Sequence, residues 1–275
     1  MKLCFFILFT AFICCQACSQ YYYNDIVALK ETNRQYQAIK NARITNITAQ
    51  SFEANGQATE GFLLKQEVGN GGNTITTTSG ISSAAESVSV NYYDGTHLVK
   101  TVDNSTNIIS TVEYGYDAAG NIETIRTTTV DTFMNSNSEE LHEWKFAGNQ
   151  PTAMLRIKDK SDTTTVEFVK DEQGNIAEEH WKKKGKTVEN YFYYYNDAHQ
   201  LTDIVRYNTV AKRMLPDFLF NYNEAGLVTQ LTQVHLNTGS YLIWKYSYNT
   251  NNLKQTETCF DKKKELVGRI EYNYR

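Results

Sequence analysis

The side chains able to do chemistry are scattered along this sequence and do not converge. The five histidines, His97, His142, His180, His199 and His235, lie too far apart to form the short-spaced pairs that metal sites use. His199 occupies the turn position that Gly120 holds in another stretch, which predicts a turn residue there. The adjacent acids Glu139-Glu140 and Glu178-Glu179 fall on opposite faces of any strand, so neither pair can flank a glycosidic bond as two cooperating carboxyls must. Asp117-Ala118-Ala119-Gly120-Asn121 lacks the alternating oxygen ligands of a calcium loop. No recurring pattern sets a histidine beside Cys259, which reads as a small apolar strand residue. A nucleophile elbow, a phosphate loop and a zincin motif are missing too. The sequence therefore predicts no enzyme, no cofactor and no metal.

These residues are positioned by a recurring unit: an aromatic run, a turn, then a fresh apolar residue. Tyr191-Phe192-Tyr193-Tyr194-Tyr195 runs through a turn to Leu201, Phe218-Leu219-Phe220-Asn221-Tyr222 to Leu227, and Trp244-Lys245-Tyr246-Ser247-Tyr248 to Leu253. From Tyr195 the anchors Tyr222, Tyr248 and Tyr274 follow at intervals of 27, 26 and 26 residues, and a fixed period of this kind marks a repeat architecture. Gly120, Gly174 and Gly226, with Asn or Asp around them, supply the positive φ that tight hairpins need.

Tyr116 to Ile122 reads Y-D-x-x-G-N-I and resembles the YD (RHS-type) repeat; looser copies extend the resemblance over Tyr92 to Arg275. The resemblance implies a β-hairpin per unit within a long coiled sheet. Large RHS proteins are similar in this module alone, so their toxin activity is not expected here. The predicted fold is all-β: an elongated, curled antiparallel sheet of repeated hairpins with a period of about 26 residues and a short N-terminal capping helix. As a repeat array, it should tolerate loss of its last unit.

Along each strand, alternate residues share a face, so Tyr191, Tyr193 and Tyr195 align, as do Phe218, Phe220 and Tyr222, and Trp244, Tyr246 and Tyr248. Two outcomes follow. In a tightly curled sheet this ladder is core; in an open one, Tyr193, Phe220, Tyr222, Tyr246 and Tyr248 form a stacking platform for sugar rings. Burial is favoured, since an open ladder would exceed the contiguous apolar surface that soluble proteins tolerate.

Residues 1–17 read as a signal peptide, with Met1-Lys2 before the apolar run Leu3 to Cys15. Ala17-Cys18 resembles a lipoprotein cleavage site and makes Cys18 the expected lipid attachment. Residues 18–42 hold the anchor and a short helix, with Asn24 or Asp25 placed to cap it and its role to cover the first sheet edge. Residues 43–275 form the repeat domain, with a loose Gly/Thr/Ser loop near 69–80 as its one internal linker.

A net charge of −4 and a pI of about 5.8 leave no basic field for nucleic acid. Lysines gather between repeats, at Lys182-Lys183-Lys184-Gly185-Lys186 and Lys262-Lys263-Lys264; the expected reading is solvated turns that deter aggregation, the functional one a rim for anionic glycans or lipid head groups. The expected function is a non-catalytic binding or scaffolding surface at the envelope of a Gram-negative bacterium, held to the membrane by its lipid, with carbohydrate or another envelope protein as ligand. The alternatives are a purely structural envelope protein and an outer-membrane β-barrel. Against the barrel, the return strand at Leu201 carries Asp203 on one face and Arg206 on the other.

Overall fold

The computed structural model describes residues 20–275 except 83, 236 and 237; the expected signal segment and Cys18 lie outside the described residues. The chain enters with a π-helical turn, Tyr22–Ala28, that runs straight into α1, Leu29–Asn41. Eighteen strands follow among the described residues: β1 Asn46–Glu53, β2 Leu63–Gly69, β3 Thr74–Gly80, β4 Ser87–Asp94, β5 His97–Ser105, β6 Ile108–Tyr116, β7 Ile122–Asp131, β8 Ser136–Ala147 and β9 Gln150–Lys158, then β10 Asp162–Lys170, β11 Ile176–Lys183, β12 Lys186–Tyr195, β13 Leu201–Asn208, β14 Arg213–Tyr222, β15 Val228–His235, β16 Ser240–Tyr248, β17 Lys254–Phe260 and β18 Leu266–Tyr274. Each pairs antiparallel with the next, and β18 returns to β1, Ile47 opposite Tyr274 and Glu53 opposite Gly268.

The sheet is thus a closed barrel and not the elongated open sheet expected from the repeats. Closure pairs the two strands that would otherwise be edges, which removes the hazard of edge-to-edge association. Two further expectations are corrected with it. Residues 69–80 are no loose linker: after a single 3-10 turn, Asn70–Gly72, they form β3, where Ile75 points inward between outward threonines. The N-terminal helix covers no edge. It enters the lumen, where Tyr21 and Tyr36 belong to the buried core.

The connections define two rims. One carries the turns that follow the even-numbered strands, and here the recurring Asp or Asn explains the unit. Asp117 Oδ1 accepts from the backbone N–H groups of Ala119 and Asn121 at 2.9 and 2.8 Å, and Asp171, Asn196 and Asn249 do the same in their turns. Such side-chain-to-backbone bonds mimic a backbone turn and pin its register. His199 takes the left-handed place in its turn at φ 58°, where Gly120 has φ 83°; it is a turn residue, as its position in the repeat predicts. The other rim carries the odd-numbered connections and most of the turn lysines.

Candidate functional site

In five of the strands that run to the rim of Asp and Asn turns, the Asx rim, the last aromatic has a specific task. Tyr116, Tyr195, Tyr222, Tyr248 and Tyr274 each donate a phenolic O–H to the carbonyl of the first or second residue of the preceding strand, at 2.5–2.9 Å: Leu98, Ile176, Leu201, Val228 and Lys254. At this rim no turn joins those two strands, so the tyrosine clips one hairpin to the next. A β-bulge falls at Tyr116, Tyr195, Tyr222 and Tyr248 where the strand meets the following one, as between Tyr194 and Tyr195, while Tyr274 pairs with Ile47 in regular register.

Barrels of sixteen to eighteen strands usually leave a water-filled channel. Here the N-terminal helix and the inward aromatics occupy it. Tyr21 lies 4.6 Å from the Trp181 ring, Tyr22 lies 5.2 Å from Tyr193, and Tyr23 lies 5.5 Å from Phe220. Trp144 stacks on Phe168 at 5.2 Å, and Tyr36 stacks on Tyr93 at 3.7 Å while donating to the Gly72 carbonyl. Of the five predicted stacking residues, Tyr193 and Phe220 are buried, and Tyr222, Tyr246 and Tyr248 are half-buried on the same inward face. None forms an open platform. Tyr246 lies under the Lys254 ammonium, 4.5 Å from its ring centre, and Tyr248 borders a cavity of about 30 Å³ beside α1, room for a water molecule and not for a sugar ring.

The plug is held by buried acids that the sequence does not advertise. Glu179 is fully buried. Its Oε1 accepts from the Tyr21 N–H at 2.9 Å and the Trp181 indole at 2.6 Å, and its Oε2 accepts from the Tyr22 N–H at 2.9 Å and the Tyr193 hydroxyl at 2.6 Å. Helix starts leave such N–H groups without intrahelical partners, and a carboxylate there also meets the positive end of the helix dipole. Burial pushes the Glu179 pKa up, against the pull of those four donors. Asp217 receives the Gln20 amide at 2.8 Å and Arg206 at 3.0 Å.

Asp25, expected to cap the helix, reaches the barrel wall instead: its Oδ2 lies 2.6 Å from His142 Nδ1 and accepts from the Trp144 indole at 3.1 Å. His142 Nε2 lies 3.0 Å from Glu140, which also pairs with Arg156 at 2.6 Å. Burial alone would lower the His142 pKa, but the Asp25 charge and the hydrogen bonds to Asp25 and Glu140 bring it up to about 9. Burial alone would raise Glu140, yet its bonds from His142 and Arg156 hold it at about 2. The neighbour Glu139 faces outward to Arg126, so the adjacent acids do part to opposite faces. Cys259 is buried opposite Trp244, and burial pushes its thiol up to about 12.

At the Asx rim, α1 and the turns after β14 and β16 border an open cleft lined by Arg34, Gln37, Asn41, Asn251 and Asn252 with small alanines. It presents amides, a guanidinium and no aromatic ring. The outer wall is wet. Lys65–Glu67, Lys100–Glu113, Arg126–Glu139, Lys182–Glu167 and Arg269–Glu271 pair on it.

No family model matches this chain, and no curated protein does. Among solved structures, a porin-like protein from Bacteroides uniformis aligns over 84% of this chain and 96% of its own at 9% identity and a TM-score of 0.39. A porin-like protein from Bacteroides vulgatus aligns over 84% and 98% at 10% identity and a TM-score of 0.28. The Photorhabdus luminescens Tc holotoxin pore aligns over 86% of this chain and 17% of its own at 8% identity and a TM-score of 0.31. Superpositions this loose leave function to be argued from the residues themselves.

Proposed function

We propose that this chain is an exported envelope protein, a YD-repeat-like barrel tethered through a lipid on Cys18, that acts non-catalytically by docking other envelope components on its outside and rims. The observation that carries this reading is the contrast between the two surfaces: the lumen is filled by a helix tied down at Glu179 and Asp25, while the outer wall bears paired charges. A filled lumen has no passage to offer, so contacts fall to the exterior. The amide-lined cleft at the Asx rim suits the hydroxyls of a carbohydrate better than the buried aromatic ladder does.

A second reading, an outer-membrane barrel, has support of its own. The sheet is closed, its strand number is even, and its strands of seven to twelve residues are of the length that crosses a bilayer. Against it, the outward Lys65, Lys100, Arg126, Lys182 and Arg269 would each cost about 2–4 kcal/mol at a bilayer midplane.

Fractionation of a Gram-negative host separates the two. The wild-type chain should sediment with membranes and resist an alkaline carbonate wash, whereas Cys18→Ser should be released by it. A Cys18→Ser protein that stays embedded through the wash would establish the spanning barrel instead, and a wild-type chain found free in the soluble fraction would remove the tether.

A further inference from the structure

The two rims differ in charge and in what they expose. The turns of the Asx rim carry Asp117, Asp171, Glu172, Asp197 and Glu224 and no lysine or arginine. On the opposite rim, the arc from β5 to β14 carries Lys160, Lys184 and Lys212 in its connections and Lys186 as the first residue of β12, and none of the four makes an ion pair among the described residues. On the same arc stand Val210, between Lys186 and Lys212, and, on the connection before Lys160, Phe133 and Met134; they are exposed by 91%, 79% and 68%, and Ile108 at the start of β6 by 44%. Exposure of that degree in large apolar side chains at turn tips is not what a solvated turn needs.

These tips are built to project. Asp131 Oδ1 accepts from the N–H groups of both Phe133 and Met134, at 2.9 and 2.8 Å, and the Thr132 N–H donates to Asn107 on the neighbouring connection. Asn208 likewise accepts from the Ala211 N–H at 2.7 Å, beside Val210. The acids on the arc are already engaged: Asp131 in its own turn, Asp159 by the Glu139 N–H at 3.0 Å, Asp162 by Lys183 at 2.6 Å. The four lysines thus outnumber Asp131 and Asp159, whose charges backbone N–H groups leave in place, and the arc keeps a net positive charge.

We propose that this arc docks on an anionic lipid bilayer, with Phe133, Met134 and Val210 entering the headgroup boundary and the four lysines resting on lipid phosphates. The inference rests on the envelope reading above and adds the end by which the barrel meets the membrane. A soluble polyanion would attract the lysines but offers nothing to the apolar tips, whereas an interface between headgroups and acyl chains accepts both.

Tryptophan fluorescence with bromolipid vesicles tests it, using the full chain with Cys18→Ser. The native Trp144 and Trp244 are buried and Trp181 is half-buried against the lumen core, so each probe is compared with the parent chain. With vesicles of brominated phosphatidylcholine and 30% phosphatidylglycerol, Phe133→Trp and Val210→Trp should be quenched. Ala118→Trp on the opposite rim and Thr111→Trp on the outer wall should not. Replacing Lys160, Lys184, Lys186 and Lys212 by Gln should weaken vesicle binding about tenfold or more. Quenching at Ala118→Trp equal to that at Phe133→Trp would overturn the proposal, as would vesicles that bind with neither tip probe quenched. A blue shift produced equally by dextran sulfate would assign the arc to polyanions and overturn it as well. Quenching at Thr111→Trp together with both rims would instead overturn the underlying reading, since only a spanning barrel puts the wall in lipid.

Discussion

Replacing Glu179 by Gln tests whether the plug is held by charge or merely by shape. The substitution keeps the volume of the side chain and one of its two acceptor oxygens. Each carboxylate oxygen serves two donors, Tyr21 N–H with the Trp181 indole and Tyr22 N–H with the Tyr193 hydroxyl. Whichever way the amide turns, one pair of donors meets an N–H₂ group and loses its acceptor. Two buried donors left unsatisfied cost about 1–3 kcal/mol each, and the surviving pair loses its charge assistance. The expected loss is about 3–5 kcal/mol, a large share of the 5–15 kcal/mol that domains usually possess. Urea unfolding followed by tryptophan fluorescence would measure it, since Trp181 is itself a donor. Glu167→Gln serves as control: it breaks an exposed pair with Lys182 at 2.6 Å, for which about 1 kcal/mol or less is expected. If Glu179→Gln loses no more than that control, the carboxyl is neutral in the fold and the clamp argument fails.

Deleting residues 266–275 removes β18 and leaves β1 and β17 as open edges, each paired on one side only, so the chain should lose near-ultraviolet circular dichroism and protease resistance altogether; a soluble, resistant remnant would mean that closure does not govern the fold. The pH dependence follows from the His142 cluster. His142, at about 9 against an ordinary 6.5, binds its proton more tightly when folded, so its contribution is complete below about pH 6.5 and is lost as the pH rises through 9. Glu140, at about 2 against 4.5, contributes fully above pH 4.5 and loses that contribution as the pH falls toward 2. The cluster should therefore stabilise most between about pH 4.5 and 6.5, and wild type should lose up to about 3 kcal/mol more than His142→Gln between pH 6.5 and 9.5; parallel stability curves for the two proteins would refute the assignment.

How much of this could be read from the sequence depends on how local each feature is. The turns were legible because the whole of an Asx turn, from Asp117 to Asn121, lies within five residues. The inward face was legible because alternation carries it, and the parting of Glu139 from Glu140 follows from the same parity. Closure was not, because the pairing of Ile47 with Tyr274 depends on the total number of strands and their stagger, which no stretch of chain displays. Residues 69–80 misled because Thr74, Thr76 and Thr78 face the wet outer wall, where threonine serves as well as valine, and Ile75 alone marks the inward side. The helix was recognised but misplaced: Ile26, Val27, Leu29, Tyr36 and Ile39 read as the face of an edge cover, while a barrel too wide for side chains to fill needs such a face at its centre. Glu179 carried a faint signal, since it shares parity with Trp181 on the aromatic face, as Glu257 does with Cys259.

That misplacement bears on what the barrel is for. Filling a wide lumen with aromatic side chains alone would be non-directional, and such cores lose uniqueness before they lose stability. Acids in the lumen wall change this. Asp25 can meet His142 and Trp144 at only one depth of insertion, and Glu179 can meet the first two N–H groups of the helix at only one rotation about its axis. The plug is thereby located as well as accommodated. A located plug keeps Tyr36 against Tyr93 and Asn33 against the Leu98 N–H, which stiffens the Asx rim from inside while the tyrosine clips stiffen it from strand to strand. The lysine rim lacks the repeated set of clips, and its apolar tips are braced by their own turns and, at Thr132, by the neighbouring Asn107 carbonyl. One end of the barrel is thus fastened to the plug and the other is left to present side chains outward, an asymmetry suited to a protein that meets a surface with one end.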